Sequence, residues 1–584
     1  MRSSLLRCDA PVRGAACPHA RAGRGACAVN GLRPRAGAFA GLPRVCAPPF
    51  GAPRLGHCVR FSEHDERSAR AKPGNEDIGP KDVIVVGWSV EGALAALALA
   101  KQGFHVDVYD AHASPRDPAP RVNRFTGPSA VVLNGRALEA IESLGATLPD
   151  EKVAIKGGVW HRGRGAVQLP VTDGAMCAVD RRQLILHWMD EIDALPVGAG
   201  KVEYHWGHRM EFLNTEREQA VFVEAGEVRD VLNVPYRLLI GADGARSAVR
   251  RCLNDQVDGF ICEQTTGKLR YYRVRLEGEG HRMGHVRKGW DERVHTWAGL
   301  VRVPMATQPA TVHVQAVPGC DGAAYVTVGV PERLVKGYEW KTDKALTDAL
   351  TEGLRDFPRE WAEAVTVEIR DKKRWTEFRE GSSTRCTLYN GPRAAVVGDA
   401  AHSMAPSLLL GASAAVQGVA ILVEELAKLP RSVPSMAHSS DRSEALAAPG
   451  GEAVNTALEA YTKRWRHDAF SAVDMSEQLF SDLRTVVAKG RVADRFKGGQ
   501  NKRKIERLTG VENFALLLAS RILPFVFRPP GVWRAANTRE RYSDIFRDMR
   551  RERQAATGAL ALLAALAATA AALTLRLARA AFAA

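Results

Sequence analysis

The alternation of apolar and polar positions changes character near residue 82 and again near residue 555. Between these points it reads as strands and helices in turn. The first folded stretch, KDVIVVGWSVEGALAALALAKQGFHVDVYDAH, opens with a short apolar run over 82–86 that ends at Gly87, the pattern of a buried strand. An Ala- and Leu-rich segment over 92–101 predicts a helix, and 106–110 predicts a second strand. Strand, turn, helix and strand in this order make a βαβ unit. Two later runs, YRLLIGADG and RAAVVGDAAH, again place an apolar strand before a glycine turn. The runs ATVHVQAV and AAYVTVGVP are strand-like and predict an inserted sheet over about 264–380. The pattern predicts an α/β fold over 82–428, a helical region over 455–550 that resumes at Leu458, and an uncharged apolar stretch over 555–575.

Charge and composition refine the ends. The chain has 584 residues and a formal net charge of +15. Residues 1–60 hold ten arginines, no lysine and one acid, Asp9. An Arg-rich, acid-poor leader without a secretory apolar core predicts an organelle transit peptide over 1–61, chloroplast ahead of mitochondrion. The basic residues are not interleaved with stacking aromatics on a folded face, so no nucleic-acid partner is expected. Residues 62–81 read as a polar linker, and 430–454 as a low-complexity insertion. Five of the ten cysteines lie in the leader. The other five, Cys177, Cys252, Cys262, Cys320 and Cys386, show no paired spacing, which predicts neither a metal site nor a disulfide framework.

The chemistry concentrates in the first turn. Gly87-Trp88-Ser89-Val90-Glu91-Gly92 is a G-x-G-x-x-G turn with Ser89 at the second glycine. Gly87 permits the tight turn, a small residue at 89 lets backbone approach a pyrophosphate, and Gly92 lets helix and strand pack closely. The helix N-terminus offers free N–H groups to phosphates. Asp110 ends the second strand 23 residues after Gly87, placed for a ribose hydroxyl. A dinucleotide is the expected ligand. One such turn, with no second nucleotide unit, argues against two-dinucleotide enzymes.

The turn at 87–92, the segment GADGARSAVR from Gly241 and the segment GDAAHSMAP from Gly398 appear in this order. In this the chain resembles the FAD-dependent aromatic hydroxylase superfamily, and within it kynurenine 3-monooxygenase-like proteins. Two further stretches, SAVVLNGRALEAIESLGA and AYTKRWRHDAFSAVDMSEQLF, are similar to theirs. The resemblance implies a Rossmann-like FAD domain interleaved with a mixed β-sheet substrate domain, followed by C-terminal helices. It implies FAD held by Gly87, Ser89, Gly92, Asp110, Arg181, Asp243, Gly244, Gly398, Asp399, Pro406 and Gly411, with no resident metal. NADPH or NADH would be a transient reductant, and oxygen and a small molecule the reactants. The expected activity is hydroxylation or epoxidation of an aromatic or isoprenoid-type substrate. The alternatives are an isoprenoid reductase or cyclase, or a non-catalytic, membrane-held flavin-binding protein. No residue is assigned as catalytic.

Three departures from the family pattern qualify this. In KGGVWHRGRGAVQLPV, Gly158 stands where the family's carboxylate-binding arginine would be, while His161 matches; kynurenine is therefore an unfavoured substrate and an apolar one is expected. In the flavin-edge loop Pro406-Ser407-Leu408-Leu409-Leu410-Gly411, Leu409 replaces the first glycine. If that position needs a positive φ, leucine costs about 1–2 kcal/mol there. Gln417 and Gly418 replace an acidic pair. His402 reads as a structural helix-start residue and Trp88 as packing. The stretch 555–575, flanked by arginines, is long enough to span a bilayer, a candidate membrane anchor as in eukaryotic members of that family.

Overall fold

The structure, a computed structural model, describes residues 82–117, 129–162, 165–171, 174–224, 230–277, 290–302, 309–320, 322–331, 342–370, 379–429, 451–488, 510–549 and 551–583. The leader, the linker over 62–81 and residues 430–450 of the insertion lie outside the described residues.

A six-stranded sheet forms the first layer. In spatial order it runs Asn390–Gly391, Ala394–Val396, Leu239–Gly241, Val83–Val86, Val106–Asp110 and Val202–Trp206. All neighbours are parallel except the Asn390–Gly391 edge. Val83–Val86 is buried throughout, as expected of a parallel strand covered on both faces. Its sequence neighbour Val106–Asp110 lies on one side and Leu239–Gly241 on the other. The strand order reverses here, and open α/β sheets bind ligands beyond the carboxyl ends of such strands.

The second layer is a seven-stranded mixed sheet ordered Arg379–Cys386, Cys262–Leu276, Ala324–Pro331, Ala310–Pro318, Arg293–Val301, Gly157–Arg162 and Gly165–Pro170. It starts and ends beyond the expected 264–380, and two strands from 157–170 also join it. Gly157–Arg162 pairs in parallel with Arg293–Val301, which buries Val159 and His161. One face of this sheet packs on helices Asp343–Gly353 and Arg359–Arg370.

The C-terminal helices cover the first layer. Helix Gly451–Ala488 begins within the stretch expected to be low-complexity, ahead of the expected resumption at Leu458. It lies so close to helix Gly411–Ala427 that a Cβ on Gly418 would stand 2.7 Å from Trp465 Nε1. Gln417 Nε2 donates to Tyr542 Oη at 3.0 Å. Gln417 and Gly418 thus seat the C-terminal helices. Helix Glu552–Ala583 contains a 23-residue segment, Gln554–Arg576, with mean hydropathy 2.1 and 6% of it buried. By length and composition it can cross a membrane.

Candidate cofactor and substrate site

Three turns meet at the carboxyl edge of the six-stranded sheet. Val86 pairs with Gly241 and Gly241 with Val396, so the chain leaves three adjacent strands at one level. Gly87 has φ +99°, and a Cβ there would lie 2.7 Å from Ala242 O. A Cβ on Gly92 would lie 2.1 Å from Gly87 O. No other residue fits either position without moving backbone. Ser89 has an extended backbone, φ −106° and ψ −176°, which needs no glycine. Its Oγ accepts from Gly92 N at 3.2 Å and donates to Ala242 O at 3.1 Å. The serine caps helix Val90–Lys101 and pins the first turn to the second, so its place in the motif is structural as well as permissive.

Asp110 is buried at the strand end. Its carboxylate accepts from Trp88 N at 2.7 Å and His112 N at 2.8 Å. Trp88 is buried edge-on against Tyr204 and Trp206, a packing role.

The Asp243 carboxylate is used within its own segment, at the start of the next helix. Its Oδ2 accepts from Ala248 N at 2.6 Å and Val249 N at 3.2 Å, at the start of helix Ala248–Gln256. Burial pushes its carboxyl above the usual range. The backbone of 242–243 stands against Gly87, and Gly244 has φ +78°. Arg181 starts helix Arg181–Asp193, half-buried, its N–H on Ser129 O at 2.8 Å.

Gly398 has φ +57° and ψ −137°, a region open to glycine. Asp399 beside it is exposed. His402 is buried and accepts from Trp465 Nε1 at 3.0 Å; burial lowers its pKa to about 4. It is a neutral packing partner.

The loop 406–411 makes a tight turn in spite of its leucines. Pro406–Leu408 makes a single 3-10 turn, and Leu409 follows at φ +56° and ψ +28°, in the left-handed region. The condition for strain is met: the backbone demands what glycine gives freely. The Leu409 side chain packs against an apolar cluster that includes Val132, Val294, Val317 and Tyr325, the last three on the seven-stranded sheet. Gln315 Nε2 on that sheet donates to Ser407 O at 3.1 Å, and Ser407 Oγ to Ser476 O at 2.6 Å. Gly411 opens the next helix with room around it.

The sheet's two faces differ. A Cβ on Gly158 would meet nothing nearer than Val294 O at 3.9 Å, so the position is open. His161 lies on the other face. It stacks on Trp297 at 4.2 Å and 10°, and Trp297 meets Phe357 and Trp361. His295 Nε2 donates to Trp290 O at 2.9 Å, so His295 Nδ1 accepts from His161 Nε2 at 3.1 Å. Burial lowers the pKa of His161 to about 3 and that of His295 to about 4. His161 matches the family stretch in sequence yet stands in a structural core, away from Leu409.

Taken together the features fit a dinucleotide: a crowded glycine cradle, a helix N-terminus and a fixed strand-end carboxylate. One residue runs against the fit. The Glu91 side chain lies across Gly398, its Oε1 2.6 Å from where a Cβ would stand. It brings a carboxylate to the first turn of the helix that a pyrophosphate would face. Its nearness to the Gly398 turn, far along the chain, has no signature in the linear sequence. Among the described residues, Asp107, Glu203 and His205 bring three potential ligand atoms within 4.8 Å, with His205 Nε2 2.9 Å from Asp107 Oδ1.

The family described as FAD binding domain matches residues 81–448. Kynurenine 3-monooxygenase of Chaetomium globosum is 24% identical over 447 residues, 69% of this chain and 84% of that protein. The Drosophila melanogaster protein of the same name is 25% identical over 423 residues, 70% and 78%. Among solved structures, P. aeruginosa PqsL in complex with 2-aminobenzoylacetate is similar in fold, with TM-score 0.51 and 18% identity over 70% of this chain and 98% of that one.

Proposed function

The chain belongs to the FAD-binding family of flavin-dependent aromatic hydroxylases, and on that premise we propose that it oxygenates a small, largely apolar aromatic substrate using NADPH or NADH. Membership of this family makes the protein a flavin-dependent monooxygenase. Bound FAD supplies electron transfer from the nicotinamide to oxygen and delivery of one oxygen atom to substrate. The chain's own residues bind and orient. Gly87, Ser89 and Gly92 shape the turn that takes the pyrophosphate, Asp110 and Asp399 offer carboxylates to hydroxyl groups, and Arg181 offers a cation. Leu409, Val294, Val317 and Tyr325 exclude water on the substrate side.

The observation that carries the substrate class is this apolar cluster beside an open Gly158. A carboxylate substrate would forgo a charge-assisted pair of about 1.5–3 kcal/mol at that position. The test is NADPH- and NADH-dependent oxygen uptake with a panel of aromatic and isoprenoid compounds, with kynurenine included. The reading expects uptake with an apolar aromatic compound and little with kynurenine. Efficient, saturable 3-hydroxylation of kynurenine contradicts it.

The apolar helix and the exposed Phe514, Phe525 and Val526 near its start support membrane association, which liposome flotation tests. The composition of residues 1–61 supports import into an organelle, chloroplast ahead of mitochondrion. Imaging of a full-length fusion tests that.

A further inference from the structure

The fold brings together two cysteines that the sequence separates widely. Cys262 opens the strand Cys262–Leu276, Cys386 closes the strand Arg379–Cys386, and the two face each other across an antiparallel ladder. One step outward, Thr387 N donates to Ile261 O at 2.9 Å, which makes 261 and 387 a hydrogen-bonded pair. Cys262 and Cys386 are therefore a non-hydrogen-bonded pair. In such pairs the Cα atoms lie about 4.5 Å apart and the side chains project close together on one face. A disulfide spans Cα separations of about 4.4–6.8 Å.

Their surroundings suit thiol chemistry. Both are free thiols; Cys262 is partly exposed and Cys386 fully buried. Arg250 is fixed beside them: its Nη1 donates to Ala400 O at 2.8 Å and its Nη2 to Ala245 O at 2.7 Å. A hydrogen bond from Cys386 holds the Cys262 thiol down at about 7; burial opposes this and the Arg250 charge assists it. Cys386, the donor of that bond and buried, is pushed up. The reachable cysteine is thus the one that ionises, and the hidden one keeps its proton.

The place of the pair in the fold matters. The chain leaves the six-stranded sheet after Leu239–Gly241, passes through helix Ala248–Gln256 and enters the seven-stranded sheet at Cys262. It leaves at Cys386 and returns to the six-stranded sheet at Asn390–Gly391. The two cysteines face each other at the neck between the cofactor half and the substrate sheet.

We propose that Cys262 and Cys386 form a reversible disulfide that clamps this neck, made by a hydroperoxide oxidant and undone by a dithiol. Hydrogen peroxide is what flavin monooxygenases release when oxygen is reduced without transfer to substrate. The Cys262 thiolate attacks one peroxide oxygen; an S–O bond forms, the O–O bond breaks, and hydroxide leaves. The Cys386 sulfur then attacks the Cys262 sulfur; the S–S bond forms, the S–O bond breaks, and the departing hydroxide takes the Cys386 proton. In sum, two thiols and one peroxide give one disulfide and two waters.

The test treats the full chain with a few equivalents of hydrogen peroxide, removes the peroxide, blocks remaining thiols with iodoacetamide in denaturant and maps peptides without reductant. The expected product is one cross-linked pair containing Cys262 and Cys386, abolished by dithiothreitol and absent from Cys262→Ser and Cys386→Ser. The oxidised chain should unfold roughly 5 °C higher than the reduced chain, since the loop it closes holds five of the seven strands of the substrate sheet. The exposed Cys320 is the control, and Cys320→Ser should leave the cross-link intact. Wild-type protein in which peroxide leaves Cys386 open to the blocking reagent, or carries Cys262 to the sulfinic acid without a cross-link, overturns the proposal. That map decides the matter even where a serine variant does not fold, and it stands apart from the hydroxylase reading because the peroxide is added.

Discussion

Helix Val90–Lys101 and the block around Trp297 are both buried, in unlike materials. The helix buries eleven of its residues, mostly alanine and leucine, and sits so close to its strand that Gly92 has no room for a methyl group. The Trp297 block is made of large rings: His161 stacked on it and Phe357 and Trp361 edge-on. In the cofactor half, backbone geometry selects residues. In the sheet half, interdigitated side chains do, and many combinations would serve. The first kind of constraint leaves motifs and the second leaves few.

The sharpest way to break this comparison is Trp297→Ala. It should cost about 3–5 kcal/mol of unfolding free energy, since a buried ring is removed from a packed block. FAD affinity should stay within about twofold of wild type, the threshold being set against the tenfold steps of binding free energy. Denaturant unfolding and FAD fluorescence quenching measure the two; a large loss of FAD affinity would mean the halves are not separable.

Acid should weaken the sheet half next. His161 and His295 have folded pKa values of about 3 and about 4, below the ordinary 6.5. Above pH 6.5 both are neutral folded and unfolded, and the stability is fully present. Below it the unfolded chain takes up protons that the folded chain refuses. Stability falls from pH 6.5 down through about 4 and 3. His402, at about 4, adds to the loss from the cofactor half. In His161→Phe the decline should be shallower, measured as the urea midpoint against pH. An unchanged slope would place the acid sensitivity elsewhere.

Glu91→Ala separates cofactor binding from stability. Removing a carboxylate from the first turn of the helix should tighten FAD binding at least roughly tenfold, about 1.4 kcal/mol. The free chain should lose about 0.3–1 kcal/mol, because an acid at a helix N-terminus is stabilising. Titration calorimetry and thermal unfolding should therefore move in opposite directions. Unchanged or weaker FAD binding would mean Glu91 is a helix-terminal acid alone. The smallest effect belongs to the loop. Leu409→Gly should relieve about 1 kcal/mol of backbone strain. The relief is partly offset because no side chain at 409 then packs against Val294 and Val317. A clear net destabilisation of the variant would show that packing outweighs strain there.

These residues also show what could be read before the fold was known. Gly87, Gly92 and Gly398 were legible because no other residue fits their positions, so spacing alone reported the geometry. The strain at Leu409 was legible as a condition, and only its φ supplied the answer. The strands over 157–170 were not assigned to the second sheet, since their partner Arg293–Val301 lies far along the chain. His161 matched a family stretch in sequence, yet strand alternation turns it to the opposite face from Val294 and Leu409. Cys262 and Cys386 looked unpaired for the same reason: cross-strand register has no signature in linear spacing.

If the family's cofactor binds here, the cofactor half takes up FAD through the three turns at Gly87, Gly241 and Gly398. The most direct measurement is calorimetric titration of FAD into the flavin-free full chain, followed by gel filtration and a visible spectrum. One FAD per chain, a yellow protein after filtration and loss of retention in Asp110→Ala are the expected results. A folded chain that stays colourless and gives no binding heat would contradict this uptake.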